Sequence, residues 1–282
     1  MIKFTILTPT YNRAYLLKNL YESLKKQTYK NFEWLIIDDG STDNTQAIIK
    51  TFSNENRLNI RYFKKENGGK HTAINLGLNK ALGELFFIVD SDDVLTSDSL
   101  EILNKKSVKL NDEIVGLVGM RGYISSSNSM VKKFNLNELI ASSLEFTYKY
   151  NFNEETAICV RTTIAKKYPF PEYNNEKFCP ESLLWNRISK NYKFYYFNQI
   201  IYLGDYLENG LTDNYGNNIK KFYKTSTIYY KELLNYKIVP SNVKLSATKI
   251  LFTLSRKTNN RLLYIIKNIP IKFILKYALS KI

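Results

Sequence analysis

Leu85-Phe86-Phe87-Ile88-Val89-Asp90-Ser91-Asp92-Asp93 is the stretch on which the reading of this 282-residue chain turns. Five consecutive apolar residues of this kind form a strand buried on both faces, as in a parallel sheet. The acidic residues that follow sit at the end of that strand. Carboxylates crowded there repel one another and lose hydration. The arrangement calls for positive charge, and a hard divalent ion such as Mg²⁺ or Mn²⁺ holding a phosphate is the usual answer.

Upstream, strands and helices alternate. Strands are expected at Lys3–Thr8, Phe32–Ile37 and Ile60–Phe63. Helices are expected at Ala14–Lys26, with Leu16, Leu17, Leu20 and Leu24 on one face, and at Thr42–Phe52. A third helix, Thr72–Ala81, stops at Gly83, and a fourth covers Ser97–Val108. This order implies an α/β fold, a Rossmann-like and mostly parallel sheet with helices on both faces. Ligands of such sheets bind beyond the carboxyl ends of the strands. Polar motifs follow Thr8, Ile37 and Val89, all at such ends. Past Asn111 the pattern is mixed: a strand at Ile114–Met120, polar loops and short strands over 121–153, helices at Ile164–Tyr168 and Leu183–Ser189, and a strand at Phe194–Phe197. From Ile219 the chain reads as helical to its end.

Composition excludes some classes. With 44% apolar and 14% aromatic residues the chain is a folded protein. Cys159 and Cys179 form no CxxC pair, so a disulfide framework is not expected and a reducing cytoplasm fits. Met1–Leu7 runs straight into a strand pattern, without the features of a leader peptide. No apolar stretch reaches the roughly 18–20 residues that span a bilayer. The net charge is +15, and most of the excess lies in Leu233–Ile282, which holds ten Lys and Arg and no Asp or Glu. A solvated helical face is the commoner meaning of such a run; an anionic surface, membrane or nucleic acid, is the sharper one.

The first strand-end motif is Pro9-Thr10-Tyr11-Asn12-Arg13, in which Pro9 shapes the loop, Tyr11 offers a ring for stacking and Arg13 a cation for phosphate. Alone it reads as an ordinary loop. The second is Asp38-Asp39-Gly40-Ser41-Thr42-Asp43-Asn44-Thr45, where Ser41 or Asp43 can cap the next helix. Capping leaves the adjacent acids unexplained, and Asp39 can accept from the imide N–H of a uracil. Asn67-Gly68-Gly69-Lys70-His71-Thr72-Ala73 opens a helix, and its glycines let backbone N–H groups approach an anion, with Lys70 adding charge. His71 is the only histidine, which speaks against a His-rich metal site or a Ser-His-Asp triad; it reads as a polar helix-start residue.

Taken together, ILTPTYNR (6–13), LIIDDGSTDNT (35–45), ENGGKHTAINLGL (66–78) and FFIVDSDD (86–93) resemble a family 2 glycosyltransferase, an inverting enzyme with the GT-A fold. The resemblance implies that Asp90-Ser91-Asp92 is the DXD motif, with Asp92 on the metal and Asp90 on the ribose or the metal. It implies that Pro9, Tyr11 and Asp39 hold the base, typically uracil, and that Arg13, Asn67, Lys70 and Ser91 belong to the nucleotide-sugar site. The divisions that follow are 1–110 for the nucleotide sugar, 111–215 for the acceptor in the same GT-A domain, and 216–282 as a basic helical extension.

The family often has an acidic pair ahead of Leu-Trp-x-Arg. Here Phe178-Cys179-Pro180-Glu181-Ser182-Leu183-Leu184-Trp185-Asn186-Arg187 puts Pro180 at the first acidic position and Glu181 at the second. The resemblance therefore makes Glu181 the base, a departure from the usual Asp; a helix-start carboxylate favoured by the dipole is the plainer reading. Trp185, Arg187 and Asp93 fall on the acceptor side, and Gly210 in a loop that closes over the donor. The implied donor is a nucleoside diphosphate sugar, UDP favoured. The implied acceptor is lipid-linked or a polysaccharide, in bacterial surface glycan assembly. Around Pro270 the tail divides into two short amphipathic segments carrying lysines, the make-up of helices that lie on an anionic membrane; packing on the domain or a homodimer is the alternative. A cytoplasmic protein peripheral to the inner membrane face is the resulting expectation, with no nucleic-acid partner. Rival readings are a nucleotidyltransferase, which usually opens with a Gly-rich loop that is absent after the first strand, a basic nucleic-acid binder, and an inactive sugar-binding relative.

Overall fold

The computed structural model describes residues 2–125, 136–205 and 214–279. The apolar runs of the first third become strands joined by helices: β1 (Phe4–Thr10), α1 (Ala14–Lys25), β2 (Phe32–Asp38), α2 (Thr45–Asn54), β3 (Ile60–Lys64), α3 (Lys70–Lys80) and β4 (Leu85–Ile88). All residues of β1 and β2 are buried, because each strand lies inside the sheet and is covered on both faces. On α1 the inward face is Ala14, Leu17, Leu20, Tyr21 and Leu24, while Leu16 sits at its edge, half-buried. Tyr21 stacks on Phe52 at 4.1 Å between centroids, and Trp34 completes that layer by donating its indole N–H to Thr8 at 2.9 Å.

The second half continues with β5 (Val94–Leu95), α4 (Ser99–Lys106), β6 (Ile114–Gly122), β7 (Glu138–Ala141), α5 (Ser143–Tyr148), β8 (Thr156–Arg161), α6 (Thr162–Ala165), α7 (Ser182–Ile188) and β9 (Lys193–Leu203). The tail adds α8 (Tyr215–Lys221), α9 (Tyr223–Asn235), α10 (Ser241–Leu254), α11 (Arg261–Asn268) and α12 (Ile271–Leu279). The strands form one sheet in the order β3-β2-β1-β4-β8-β6-β9-β5, with β7 on β9. Pairs β3-β2, β2-β1 and β1-β4 are parallel; β8 enters antiparallel between β4 and β6. One sheet therefore runs through residue 110 without a break.

The chain winds outward from β1 to β3 and then crosses back to β4 on the other side of β1. That reversal opens a crevice at the carboxyl ends of β1 and β4, the place where open α/β sheets bind ligands. Separate apolar clusters cover the two faces of the sheet, and a third joins α8–α11 to Leu144 and Phe178. A charge inside β2 is neutralised locally. Glu33 accepts from Thr5 Oγ1 at 2.5 Å and from the Leu82 N–H at 2.7 Å, and pairs with Arg61 at 2.7 Å.

The second half departs most from the sequence expectation. Strand β8 and the two-residue β5 carry no expectation of their own, and the strand expected at Phe194–Phe197 runs on to Leu203, with register shifts against β6. Helix α5 sits inside the segment expected to be loops and short strands. It opens with a capping box, Ser142 and Glu145 bonding each other's backbone N–H, which is a signal that the sequence does contain.

Gly69 ties the two halves together at the site. Its φ is +96°, and a Cβ there would collide with the Lys177 carbonyl oxygen. Only glycine lets the 172–181 segment lie against the start of α3. Gly69→Ala is expected to lower the unfolding free energy by more than about 1 kcal/mol, read from the midpoint of urea denaturation.

Candidate active site

The loops after β1 and β2 are stitched to each other. The Asp39 N–H donates to the Thr10 carbonyl at 2.8 Å, the Asn12 N–H to Ser41 Oγ at 2.9 Å, and the Ala14 N–H to Asp43 at 3.0 Å. Ser41 and Asp43 thus brace the neighbouring loop; Asn44 is the residue at the start of α2, and its side chain makes no capping bond. Pro9 is buried in β1, and Tyr11 stands at the loop tip, 46% exposed, with its ring free for a planar partner.

The adjacent acids after β2 have partners within the chain. Asp38 accepts from the Ser41 N–H at 2.7 Å and from Tyr62 Oη at 2.6 Å. Asp39 accepts from the N–H groups of Gly68 (2.9 Å) and Gly69 (2.7 Å) and from Lys65 Nζ (2.8 Å). The anion that approaches the paired glycines is therefore Asp39 itself. This is a structural reason for two consecutive acids that helix capping could not supply. Asn67 packs against Gly40 in the same corner.

At the end of β4 the chain turns, the Asp93 N–H donating to the Asp90 carbonyl at 3.1 Å, with Ser91 buried inside the turn. The turn gathers one oxygen from each of Asp90, Asp92 and Asp93 within 4.8 Å of one another. Each acid has a cation of its own. Lys70 meets Asp90 at 2.7 Å, Arg13 meets Asp92 at 2.9 Å, and Arg121 meets Asp93 at 3.3 Å. Charge balance alone thus does not demand a metal. The donor set still suits a hard divalent ion: it is all carboxylate oxygen, and the buried Asp92 Oδ1, though paired with Arg13, accepts no aligned hydrogen bond.

Asp93 is held from behind. Tyr202 Oη donates to it at 2.6 Å and accepts from the Asp90 N–H at 3.1 Å. A side chain at Gly204 would strike the Asp93 carboxylate and the Arg121 guanidinium. Burial, reinforced by Asp90, pushes the Asp93 carboxyl up to about 7, against the pull of Arg121 and Tyr202. Tyr202, Arg121 and Gly204 lie far downstream of the motif, and nothing local in the sequence marks them.

Lys70 also meets Glu181 Oε2, at 2.9 Å. Burial opposes its charge, but Asp90 and Glu181 outweigh it and hold the ammonium well above the ordinary lysine value. Glu181 occupies the start of α7, yet its side chain makes no capping bond and reaches Lys70 instead. Trp185 follows one turn later on the same face and lines the cavity. Arg187 projects elsewhere, paired with Glu232 at 2.8 Å and bonded to the Pro169 carbonyl. Gly210 lies outside the described residues.

These groups share a cavity of about 670 Å³. Its lining includes Arg13, Lys70 and the acids, and the aromatic rings of Phe146, Phe152 and Trp185. Cys179 also lines it, but burial pushes its thiol up to about 12, so it stays protonated and is no nucleophile. His71, read from sequence as a polar helix-start residue, is buried against Phe170 and lines the cavity, with neither ring nitrogen hydrogen-bonded.

The sheet order, the crevice at the reversal and the strand-end acids define a GT-A glycosyltransferase architecture. The chain belongs to glycosyl transferase family 2, whose model matches residues 5–171. It is similar to glycosyltransferase GlyA of Streptococcus pneumoniae, 41% identical over 112 residues, which are 40% of this chain and 16% of GlyA. It is also similar to the GalNAc(5)-diNAcBac-PP-undecaprenol beta-1,3-glucosyltransferase of Campylobacter jejuni, 27% identical over 199 residues, 69% of this chain and 62% of that enzyme. The crystal structure of Staphylococcus aureus TarS 1–349 with UDP-GlcNAc shares the fold, with TM-score 0.69 and 20% identity over 99% of this chain and 79% of that one. TarS, a poly(ribitol-phosphate) beta-N-acetylglucosaminyltransferase, matches in sequence at 35% over 103 residues, 36% of this chain and 18% of the relative.

Burial sets a pH dependence through His71. Desolvation lowers its pKa to about 4, Asp39 pulling the other way, against about 6.5 in an unfolded chain. The unfolded state then binds the extra proton, so stability rises with pH across this window and is lost as pH falls from about 6.5 toward 4. Relative to His71→Leu, the wild type is expected to lose up to about 3 kcal/mol of stability between pH 7 and pH 4, measured by urea denaturation of both proteins.

Proposed function

We propose that this chain transfers a sugar, with inversion, from a nucleoside diphosphate sugar to an acceptor hydroxyl in bacterial surface polysaccharide or glycoconjugate assembly. UDP is the favoured nucleotide. The observation that carries this reading is the Lys70 ammonium, which holds Asp90 of the strand-end cluster and Glu181 of α7 at once. The strand-end acids and the Glu181 carboxylate thus line one cavity.

In this reading Pro9, Tyr11, Asp39 and Asn67 receive the base: Tyr11 by stacking, Asp39 through the one lone pair that its two backbone donors and Lys65 leave free. Arg13 and Lys70 face the diphosphate. Asp90, on the ribose side, and Asp92 are the residues that would hold Mn²⁺ or Mg²⁺, with Ser91 shaping the turn between them. When bound, such an ion offsets the charge of the leaving diphosphate. Asp93, through Arg121 and Tyr202, keeps the turn in place. Glu181 accepts the proton of the acceptor hydroxyl as that oxygen attacks the anomeric carbon from the face opposite the diphosphate, and Lys70 orients its carboxylate. Trp185, Phe146 and Phe152 in the cavity lining offer flat surfaces to the sugar rings, and Arg187 anchors α7 through Glu232.

A hexose or N-acetylhexosamine fits the kind of transfer named for the relatives. Their names, one on an undecaprenol-linked glycan and one on poly(ribitol-phosphate), support a lipid-linked or polymeric acceptor.

Incubation with a panel of nucleotide sugars and Mn²⁺, followed by detection of UDP or GDP release, tests the reaction; no release with any donor and acceptor pair overturns it. Glu181→Gln is expected to slow transfer by about 10²–10⁴-fold while donor binding, measured by calorimetry, persists. Full activity in that variant removes Glu181 as the base. Asp92→Asn is expected to abolish the metal-dependent part of UDP binding, and unchanged affinity with Mn²⁺ present removes it as a ligand.

A further inference from the structure

Helices α11 and α12 are apolar on two sides and use one of them for packing. On the inner side Tyr264 hydrogen-bonds Thr227, Ile265 joins the tail cluster, and Phe273, Ile274 and Tyr277 follow, the Tyr277 ring stacked on Phe252 at 4.6 Å. The outer side of a helix at a protein surface is normally polar. Here it carries Leu262, Leu263 and Ile266 on α11 and Ile271, Leu275 and Leu279 on α12, all 59–74% exposed. Residues 271, 275 and 279 are spaced by four and so form one stripe along the helix. Six large aliphatic side chains gathered on consecutive helices are more than the scattered apolar residues of an ordinary surface.

The charge around this face has one sign. Glu232 is the last acidic residue of the chain, and ten Lys and Arg follow it. Lys272 and Lys276 flank the α12 stripe, and Lys267 lies beside the α11 patch. Lys244 is held below the ordinary lysine value by burial and then by Lys272, so cations stand close together here.

We infer that α11 and α12 form an interfacial foot that lies on an anionic lipid bilayer, with the six aliphatic side chains among the acyl chains and the lysines at the headgroups. Aliphatic stripe and flanking lysines both find partners there. A second copy of this chain fits less well, because an isologous contact would set like-charged tails against each other. The helices have 8 and 9 residues, and no described helix is long and apolar enough to cross a membrane, so the foot rests on the bilayer without spanning it.

Co-sedimentation of the full chain with vesicles of phosphatidylglycerol and phosphatidylcholine, and with phosphatidylcholine alone, tests this. Binding is expected to the anionic vesicles. It is expected to fall at least tenfold in Ile271→Gln/Leu275→Gln and, separately, in Lys272→Glu/Lys276→Glu. Since these side chains point outward, both variants are expected to keep the wild-type melting temperature. Wild-type protein that leaves anionic vesicles unbound, or folded variants that bind as wild type does, overturns the inference. Light scattering that shows a dimer broken by Ile271→Gln/Leu275→Gln, with vesicles unbound, overturns it in favour of self-association. UDP binding measured on the same samples keeps this result separate from the catalytic reading, which does not depend on the outer face of α11 and α12.

Discussion

Carboxylates concentrated at the end of a buried strand set the problem that the rest of this structure solves. Asp90, Asp92 and Asp93 are brought together by one turn and cannot coexist there without compensation. Compensation comes from three separate places in the chain: Arg13 from the loop after β1, Lys70 from the start of α3, and Arg121 from β6. Those elements must therefore converge on the carboxyl end of β4. The reversal of strand order between β1 and β4, and the continuation of the sheet through β8 to β6, are what bring them there.

Lys70 joins this electrostatic assembly to the reaction proposed above. The same ammonium that steadies Asp90 reaches Glu181, which lies more than a hundred positions downstream. Two features, one of the backbone and one of a side chain, make the meeting possible. Gly69 adopts a positive φ and yields room for the Lys177 carbonyl, so the 172–181 segment can lie on the start of α3. Glu176, buried nearby, accepts from the N–H groups of Lys224 and Thr225 and fixes that segment to α9. The helical extension thus supports the site through α9.

Much of the first third was legible in the sequence, for a physical reason. Strands β1, β2 and β4 are buried on both faces and α1 and α2 are amphipathic, so hydrophobic period alone marks them. The acidic turn, Lys70 and Glu181 were equally visible, because charged residues at strand and helix ends stand out from their surroundings. The second half was less legible. Thr156–Arg161 becomes a central strand only because β4 and β6 present open edges to it, and the continuation of β9 to Leu203 depends on irregular pairing with β6. The site shows the same limit. Asp39 looked like a base-reading group with an unexplained neighbour, and the structure explains both acids by partners at Gly68, Gly69, Lys65, Ser41 and Tyr62. His71, read as a polar helix-start residue, does lie in the first turn of α3 but is buried.

By itself the sequence determined the alternation of strands and helices, the acidic cluster, the basic lysine beside a glycine pair and the one-signed charge of the tail. These are properties of residue type and spacing, which local physics reads directly. Tertiary structure decided which charge meets which: that three protein cations attend the acids, that Tyr202 and Gly204 hold Asp93, that Arg187 turns away from the cavity while Glu181 turns in, and that the outer aliphatic face of α11 and α12 stays uncovered. Those outcomes depend on contacts between segments far apart in the chain, and their partners are chosen by the sheet order and by the few ångströms that a glycine or a buried hydroxyl allows.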